Sequence, residues 1–316
     1  MLLQSINNPD VLNAVILLAP MIVLGALLFV RPAKYFERVG MMLGFLLCVP
    51  MILLMNVLAE YLGWWKYAAT ANSYYNIPIE VILGWACFWG ALLPYLFKQN
   101  KVLVAFFVAL MIDLIYMPYM TGLFVLGEYW LIGEIAVLVT CLLPSLIIYQ
   151  LTATRKKVLL RGGIQSYIWG TWIVFLIPSL ILTYEHKSIF DIFSMNALRV
   201  LIFLIGMGSS MLIGYLAVVQ LAKVGLGTPI PFDSAQKLVR TGIYQHVANP
   251  LQISTALMFI CMALLYKSWM MLCPLIALIL YTEIFVRWHH SVDIEQRFGE
   301  AWFEYRKQVR NWLPKW

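Results

Sequence analysis

Charge is scarce in this 316-residue chain: Asp, Glu, Lys and Arg together make up 12% of it, while 63% is hydrophobic. A soluble domain is about a quarter charged, so a water-facing globular surface is excluded. Internal repeats and low-complexity tracts are also missing. The five cysteines, Cys48, Cys87, Cys141, Cys261 and Cys273, all fall inside apolar runs at no metal-ligand or disulfide spacing. They read as small packing residues, and a disulfide framework is excluded. Although the net charge is +7, no basic face interleaved with base-stacking aromatics is present, which argues against nucleic acid as a partner.

What the chain does have is long apolar stretches. Runs of about 20 such residues cross a bilayer as helices, and they recur near 11–30, 39–62, 79–97, 102–120, 129–151, 165–184, 197–221, 250–266 and 268–287. The pattern predicts an all-α integral membrane protein, a polytopic bundle of about nine transmembrane helices. The first run lacks a basic flank and a small-residue cleavage pattern, so it reads as a retained helix rather than a signal peptide. Of the 22 Lys and Arg residues, 18 fall on one side of this arrangement and four, Lys66, Lys187, Arg199 and Lys267, on the other. The positive-inside bias then puts the C-terminus in the cytoplasm and the N-terminus outside, in an inner membrane of bacterial type. The basic stretch Thr154-Arg155-Lys156-Lys157, closing on Gly162-Gly163, predicts a cytoplasmic linker over 154–164. It divides an N-terminal bundle of about five spans (1–153) from a C-terminal domain (165–316).

In the N-terminal half, Glu80, Asp113, Glu128 and Glu134 lie in or beside apolar spans. An ionised carboxylate there costs about 2.5 kcal/mol or more unless it is paired or hydrated. Glu80 and Glu128 sit near helix starts, where the helix dipole favours an acid. Asp113, mid-span, reads equally as an interhelical hydrogen bond or as a functional group. The segment from Trp64-Trp65-Lys66-Tyr67 to Tyr74-Tyr75 reads as an interfacial aromatic belt, with lipid gating as the alternative. Through Ile77-Pro78-Ile79-Glu80 and the Asp113 to Pro118 spacing, this half also shows a slight likeness to the bacterial carotenoid hydratase and lycopene cyclase membrane proteins.

Chemistry-bearing residues concentrate near the C-terminus. Gly225-Leu226-Gly227-Thr228-Pro229-Ile230-Pro231-Phe232-Asp233 makes a polar loop, followed by a turn at Gly242-Ile243-Tyr244 that runs to Ala248-Asn249-Pro250. After two apolar spans come Phe298-Gly299, Tyr305-Arg306 and Trp312-Leu313-Pro314. In this order the three pieces resemble the C-terminal core of the isoprenylcysteine carboxyl methyltransferase and phospholipid methyltransferase class, over 195–316. The resemblance implies S-adenosylmethionine held at the cytoplasmic membrane face and a lipidic or isoprenoid acceptor entering sideways between helices. Carried onto this chain, it makes Gly227, Thr228, Tyr244, His246, Asn249, Pro250 and His289 the cofactor-binding candidates, and Glu283, His246 and His290 the catalytic ones. Gly and Pro also make turns, and Tyr244 and His246 also suit an interface.

This chain departs from the family at Ala248, where an Arg precedes the Asn-Pro, at Gln252, where an aromatic is frequent, and over His289 to Ser291, where paired Glu residues stand. Glu283, Asp293 and Glu295 are the nearest acids. His289, His290 and Asp293 could be read as a metal set, but adjacent His side chains diverge and no third ligand follows, so no metal is expected. Phe298, Trp302, Tyr305, Val309 and Trp312 recur at helical spacing, as in an amphipathic tail helix on the inner leaflet or a lid over the cofactor. Two alternatives stay open: an NADPH-dependent membrane reductase of related fold, and a non-catalytic lipid-binding or assembly protein that kept the fold.

Overall fold

The computed structural model describes residues 9–68, 73–98 and 101–314, without the side chains of 9, 10, 12, 13, 289 and 290. Seven helices in it are long and apolar enough to cross a membrane, and two shorter apolar helices accompany them. In chain order they are α1 (Pro9–Val30), α2 (Tyr35–Tyr61), α3 (Ile79–Leu96), α4 (Val102–Tyr119), α5 (Trp130–Ala153), α6 (Val158–Tyr184), α7 (Ala197–Lys223), α8 (Pro250–Tyr266) and α9 (Trp269–Phe298). A tenth helix, α10 (Glu300–Gln308), follows Gly299, whose φ of 49° breaks the chain direction. The expected polytopic helical bundle is therefore present. Helices dominate because lipid offers backbone groups no partners, so each segment must satisfy its own.

The chain forms two compact units, Met1–Lys156 and Lys157–Trp316. In the first, α2 is the central helix, and glycines let its neighbours reach its backbone. A Cβ added to Gly44 would lie 2.0 Å from the Gly90 carbonyl oxygen of α3, and one on Gly84 would lie 2.4 Å from the Ile16 carbonyl of α1. Small residues hold membrane helices together in this way, because apolar surface alone gives no preference over lipid.

Prolines shape several spans. Just before Pro94, Pro144 and Pro178, the helix opens into one wide turn in which Leu93, Leu143 and Ile177 each donate to the carbonyl five residues back. The widened turn makes room for a ring that would otherwise strike the preceding turn. In α9 wide turns occur at Thr282–Val286 and His290–Ile294 with no proline near either.

The aromatic segment of the first unit is only partly interfacial. Trp65 is buried and donates through Nε1 to Asn56 Oδ1 at 2.9 Å, and Tyr67 Oη donates to the same oxygen at 2.7 Å. Both rings ride on β1 (Trp65–Tyr67), which pairs antiparallel with β4 (Phe124–Leu126). Between them, β2 (Ser73–Tyr74) and β3 (Ile77–Pro78) form a hairpin, and its turn residues Tyr75 and Asn76 both have positive φ. A buried Asn inside the bundle needs donors, and the nearest aromatics turn inward to supply them. Asp113 and Glu134 are buried together, with Trp85 beside Asp113, whereas Glu128 is exposed ahead of α5.

In the second unit α7 and α8 form the main helix pair. Ser254 Oγ donates to the Ser210 carbonyl at 2.6 Å, and a Cβ on Gly214 would stand 2.8 Å from the same hydroxyl. Near the hairpin between α8 and α9, Leu182, Met207, Met258, Met262, Leu265, Tyr266 and Met271 form a core whose methionines fill irregular gaps between helices. α8 ends at Lys267 in a left-handed conformation, which sets up the tight hairpin into α9.

Candidate functional site

After α7 the chain folds into a compact knot. Gly227 is required by close approach: a Cβ there would stand 2.4 Å from Ala235 Cα. Thr228 Oγ1 donates to the Asp233 carbonyl at 3.1 Å and lies 3.2 Å from Asp233 Oδ2, which also receives the Arg161 guanidinium from the first turn of α6. Arg161, Thr228 and Asp233 are all buried. The knot is tied to the end of α9 by Arg297, which donates to the Ala235 carbonyl at 2.9 Å, to Ser234 Oγ at 3.1 Å and to Asp293 Oδ2 at 2.6 Å.

The following turn is set by Gly242, whose φ is 62° and whose added Cβ would meet the Gln220 side chain at 2.7 Å. Tyr244 packs its ring into a core with Ala217, Val239 and Leu251. Burial pushes its phenol well above the ordinary tyrosine range, with Tyr305 adding to the shift. Its carbonyl accepts the Tyr305 hydroxyl at 2.8 Å. Asn249 is buried and precedes α8, which opens on Pro250. His246 is exposed, its Nε2 3.0 Å from the Gln245 amide.

The C-terminal segment straps this turn down. Val247 and Arg310 form a parallel bridge, Ala248 N donates to the Arg310 carbonyl at 2.9 Å, and Asn249 N donates to the Asn311 carbonyl at 3.3 Å. Trp302, Tyr305 and Val309 cluster with Leu238, Ala248, Ile294 and Phe298. The tail helix is shorter than its aromatic spacing predicts: only Trp302 and Tyr305 of that set lie in α10, Phe298 comes before the break at Gly299, and Val309 and Trp312 follow in extended or irregular backbone, so the set is gathered by packing and not by one helix face.

Beyond the bend, the strap reaches Glu283. Trp312 Nε1 donates to Glu283 Oε1 at 2.8 Å, and Arg287 lies 3.8 Å from the other carboxylate oxygen. Arg306 donates to Asn311 Oδ1 and sits over the Trp302 ring. Burial lowers the pKa of the Arg306 guanidinium; nearby Arg287 lowers it further, while Tyr305 and Glu283 oppose the shift. Glu283, Arg287, Arg306, Asn311 and Trp312 therefore share one partly exposed neighbourhood.

The structure brings Tyr244, Asn249 and Pro250 to the strapped bend, and Glu283 to the same strap. Gly227 and Thr228 belong to the knot around Asp233, where their contacts serve the loop itself. The side chains of His289 and His290 lie outside the described ones. Sequence reasoning missed Arg161, Asp233 and the Trp312 to Glu283 bond. Arg161 is indistinguishable by type from the other cations of the linker, and only its partner in space marks it. The signal that was available is Asp233, a lone acid closing a Gly- and Pro-rich loop. Among the described side chains no group of three or more His, Cys, Asp or Glu is placed to hold a metal ion.

No curated protein and no solved structure matches the chain. Nothing in these comparisons supports the carotenoid-enzyme likeness of the N-terminal half. Residues 198–300, from the first turn of α7 to the start of α10, match the model of one known family, the phospholipid methyltransferases.

Proposed function

We propose that the C-terminal unit transfers a methyl group from S-adenosylmethionine to a lipidic or isoprenoid acceptor at the cytoplasmic membrane face. The observation that carries this reading is the family domain at 198–300. Its geometry supports a particular placement. The bend and the terminal helix pack directly on each other, Ala248 and Leu238 lying against Trp302, Tyr305 and Val309. The methyl donor therefore belongs on the open side of the strap, at Glu283, Arg287, Arg306 and Asn311, rather than between bend and helix.

The residues present suit such a cofactor. Arg287 and Arg306 offer cations for its carboxylate, the Glu283 carboxylate suits a cationic centre, and Asn311 and Trp312 fix the positions of Arg306 and Glu283. When bound, the cofactor supplies an electrophilic methyl carried on a sulfonium cation. The protein's part is positioning and electrostatics, because the charge on sulfur disappears as the methyl leaves. Glu283, with the Arg287 guanidinium 3.8 Å from one of its oxygens, would attract a sulfonium while Arg287 tempers its charge. A hydroxyl or amine acceptor also needs a group to take its proton, whereas a carboxylate acceptor does not. Glu283 and the exposed His246 are the candidates for that role.

Calorimetry on purified protein with S-adenosylmethionine and its demethylated product at millimolar concentration tests the reading. Saturable binding is expected, weakened about tenfold or more in Glu283→Gln. No uptake of either compound would end it, and preferential binding of NADPH would move the chain to the reductase class. One observation favours the non-catalytic alternative: Ala248, where the family has an Arg, is occupied in the strap packing. A scaffold of that kind would tolerate loss of Glu283 with no change in any activity.

A further inference from the structure

Gln165 is the most anomalous buried group in the second unit. Its side chain has 0% exposure, and neither its amide nitrogen nor its oxygen has a hydrogen-bond partner among the described residues. Leaving a buried polar group unpaired costs about 1 to 3 kcal/mol per group, and membrane surroundings offer no substitute partners. A carboxamide orphaned at both ends therefore calls for a ligand.

Three observations narrow what that ligand is. First, Gln165 lies one helical turn beyond Arg161 on the buried face of α6, which also carries Gly162 and Ile168. At 1.5 Å per residue it sits about 10 Å in from Val158, at a depth that lipid headgroups and the first atoms of their chains reach. Second, the charges on this face cancel, because the Arg161 guanidinium is paired with Asp233. An anionic or cationic headgroup would find no net counter-charge there. Third, an amide presents a donor and an acceptor side by side, and a single hydroxyl can meet both, whereas a carboxylate only accepts and an ammonium only donates. The contact at this position is made by small side chains, Gly162 of α6 packing on Val218 of α7, whose Cγ1 would lie 3.2 Å from an added Cβ, and most of the apolar stretch of α6 is not covered by protein.

We propose that Gln165 reads the hydroxyl of an uncharged long-chain lipid alcohol that enters sideways between α6 and α7. The inference rests on the lipid-acceptor part of the function proposed above and narrows its acceptor to neutral, hydroxyl-bearing lipids. It does not depend on the methyl donor being bound.

The test is binding to the purified full-length protein in nanodiscs, followed by thermal stabilisation and native mass spectrometry, without cofactor. The probes are a long-chain prenol, the corresponding hydrocarbon and the corresponding carboxylic acid. Wild type is expected to bind the prenol about tenfold more tightly than either of the others. Gln165→Met, close in shape but without the amide, is expected to lose that preference while melting no lower than wild type in the absence of ligand. Equal binding of prenol and hydrocarbon by wild type, or strongest binding of the acid, overturns the proposal. So does a Met variant that keeps the prenol preference. A Met variant that melts lower and shows no ligand effect also overturns it, assigning the amide to a structural water. Because calorimetry with the methyl donor is a separate measurement, cofactor binding with no prenol preference would sink this inference and leave the methyltransferase reading standing.

Discussion

Tyr305 joins the tail helix to the turn by one bond, its hydroxyl donating to the Tyr244 carbonyl. Burial pushes the Tyr305 phenol up to about 12 from an ordinary value of 10, against a lowering by Arg306. A folded-state pKa raised in this way leaves its stability contribution intact below pH 10 and removes it as pH climbs toward 12. Melting temperature should therefore be insensitive to this group at neutral pH and fall across that alkaline window. Tyr305→Phe should flatten the fall while lowering the neutral-pH stability by about 1 kcal/mol; equal alkaline slopes in the two proteins would refute the assignment. The Arg161–Asp233 pair is a costlier single contact. Asp233→Asn strands a buried guanidinium and is expected to cost about 3 to 5 kcal/mol, read as a lower melting temperature in detergent. The apolar double variant Arg161→Met with Asp233→Leu should recover most of it. The residue types at both sites were plain in the sequence, but their value was not, because burial and partnership are properties of position in space.

Among the elements, the contact of α2 with α3 is the most sensitive. Gly44→Ala places a methyl 2.0 Å from a main-chain oxygen, and a rigid helix backbone has little freedom to yield. The expected loss is about 3 kcal/mol or more, with melting and monodispersity as readouts. Gly208→Ala on α7, where an added Cβ meets nothing within 4 Å, should be neutral or slightly stabilising. If the two variants behave alike, the close packing of α2 and α3 is wrong. The spans themselves were legible, since apolar runs long enough to cross a bilayer have few other fates. Their wide turns before Pro94, Pro144 and Pro178 follow from proline chemistry. The paired wide turns of α9 have no such sequence cause, and Trp65 turned inward because a buried Asn56 waited for donors.

For the molecule as a whole, the basic-residue bias makes a topological prediction. In a cysteine-free background, Lys187→Cys should react with a membrane-impermeant maleimide in intact cells, and Lys237→Cys only after permeabilisation. The reverse pattern would invert the protein and move the candidate site outside. Composition alone determined that this chain lives in a bilayer as a helical bundle, because hydrophobic length is a local property that each segment carries by itself. The order of short motifs pointed to the methyltransferase class for the same reason. Only tertiary structure decided that the tail closes over the Tyr244 turn, that Glu283 is held by Trp312, that Arg161 answers Asp233 across 72 residues, and that Gln165 is left without a partner among the described residues. Those are relations between distant positions, set by packing and hydrogen-bond satisfaction in three dimensions, and no window along the chain contains them.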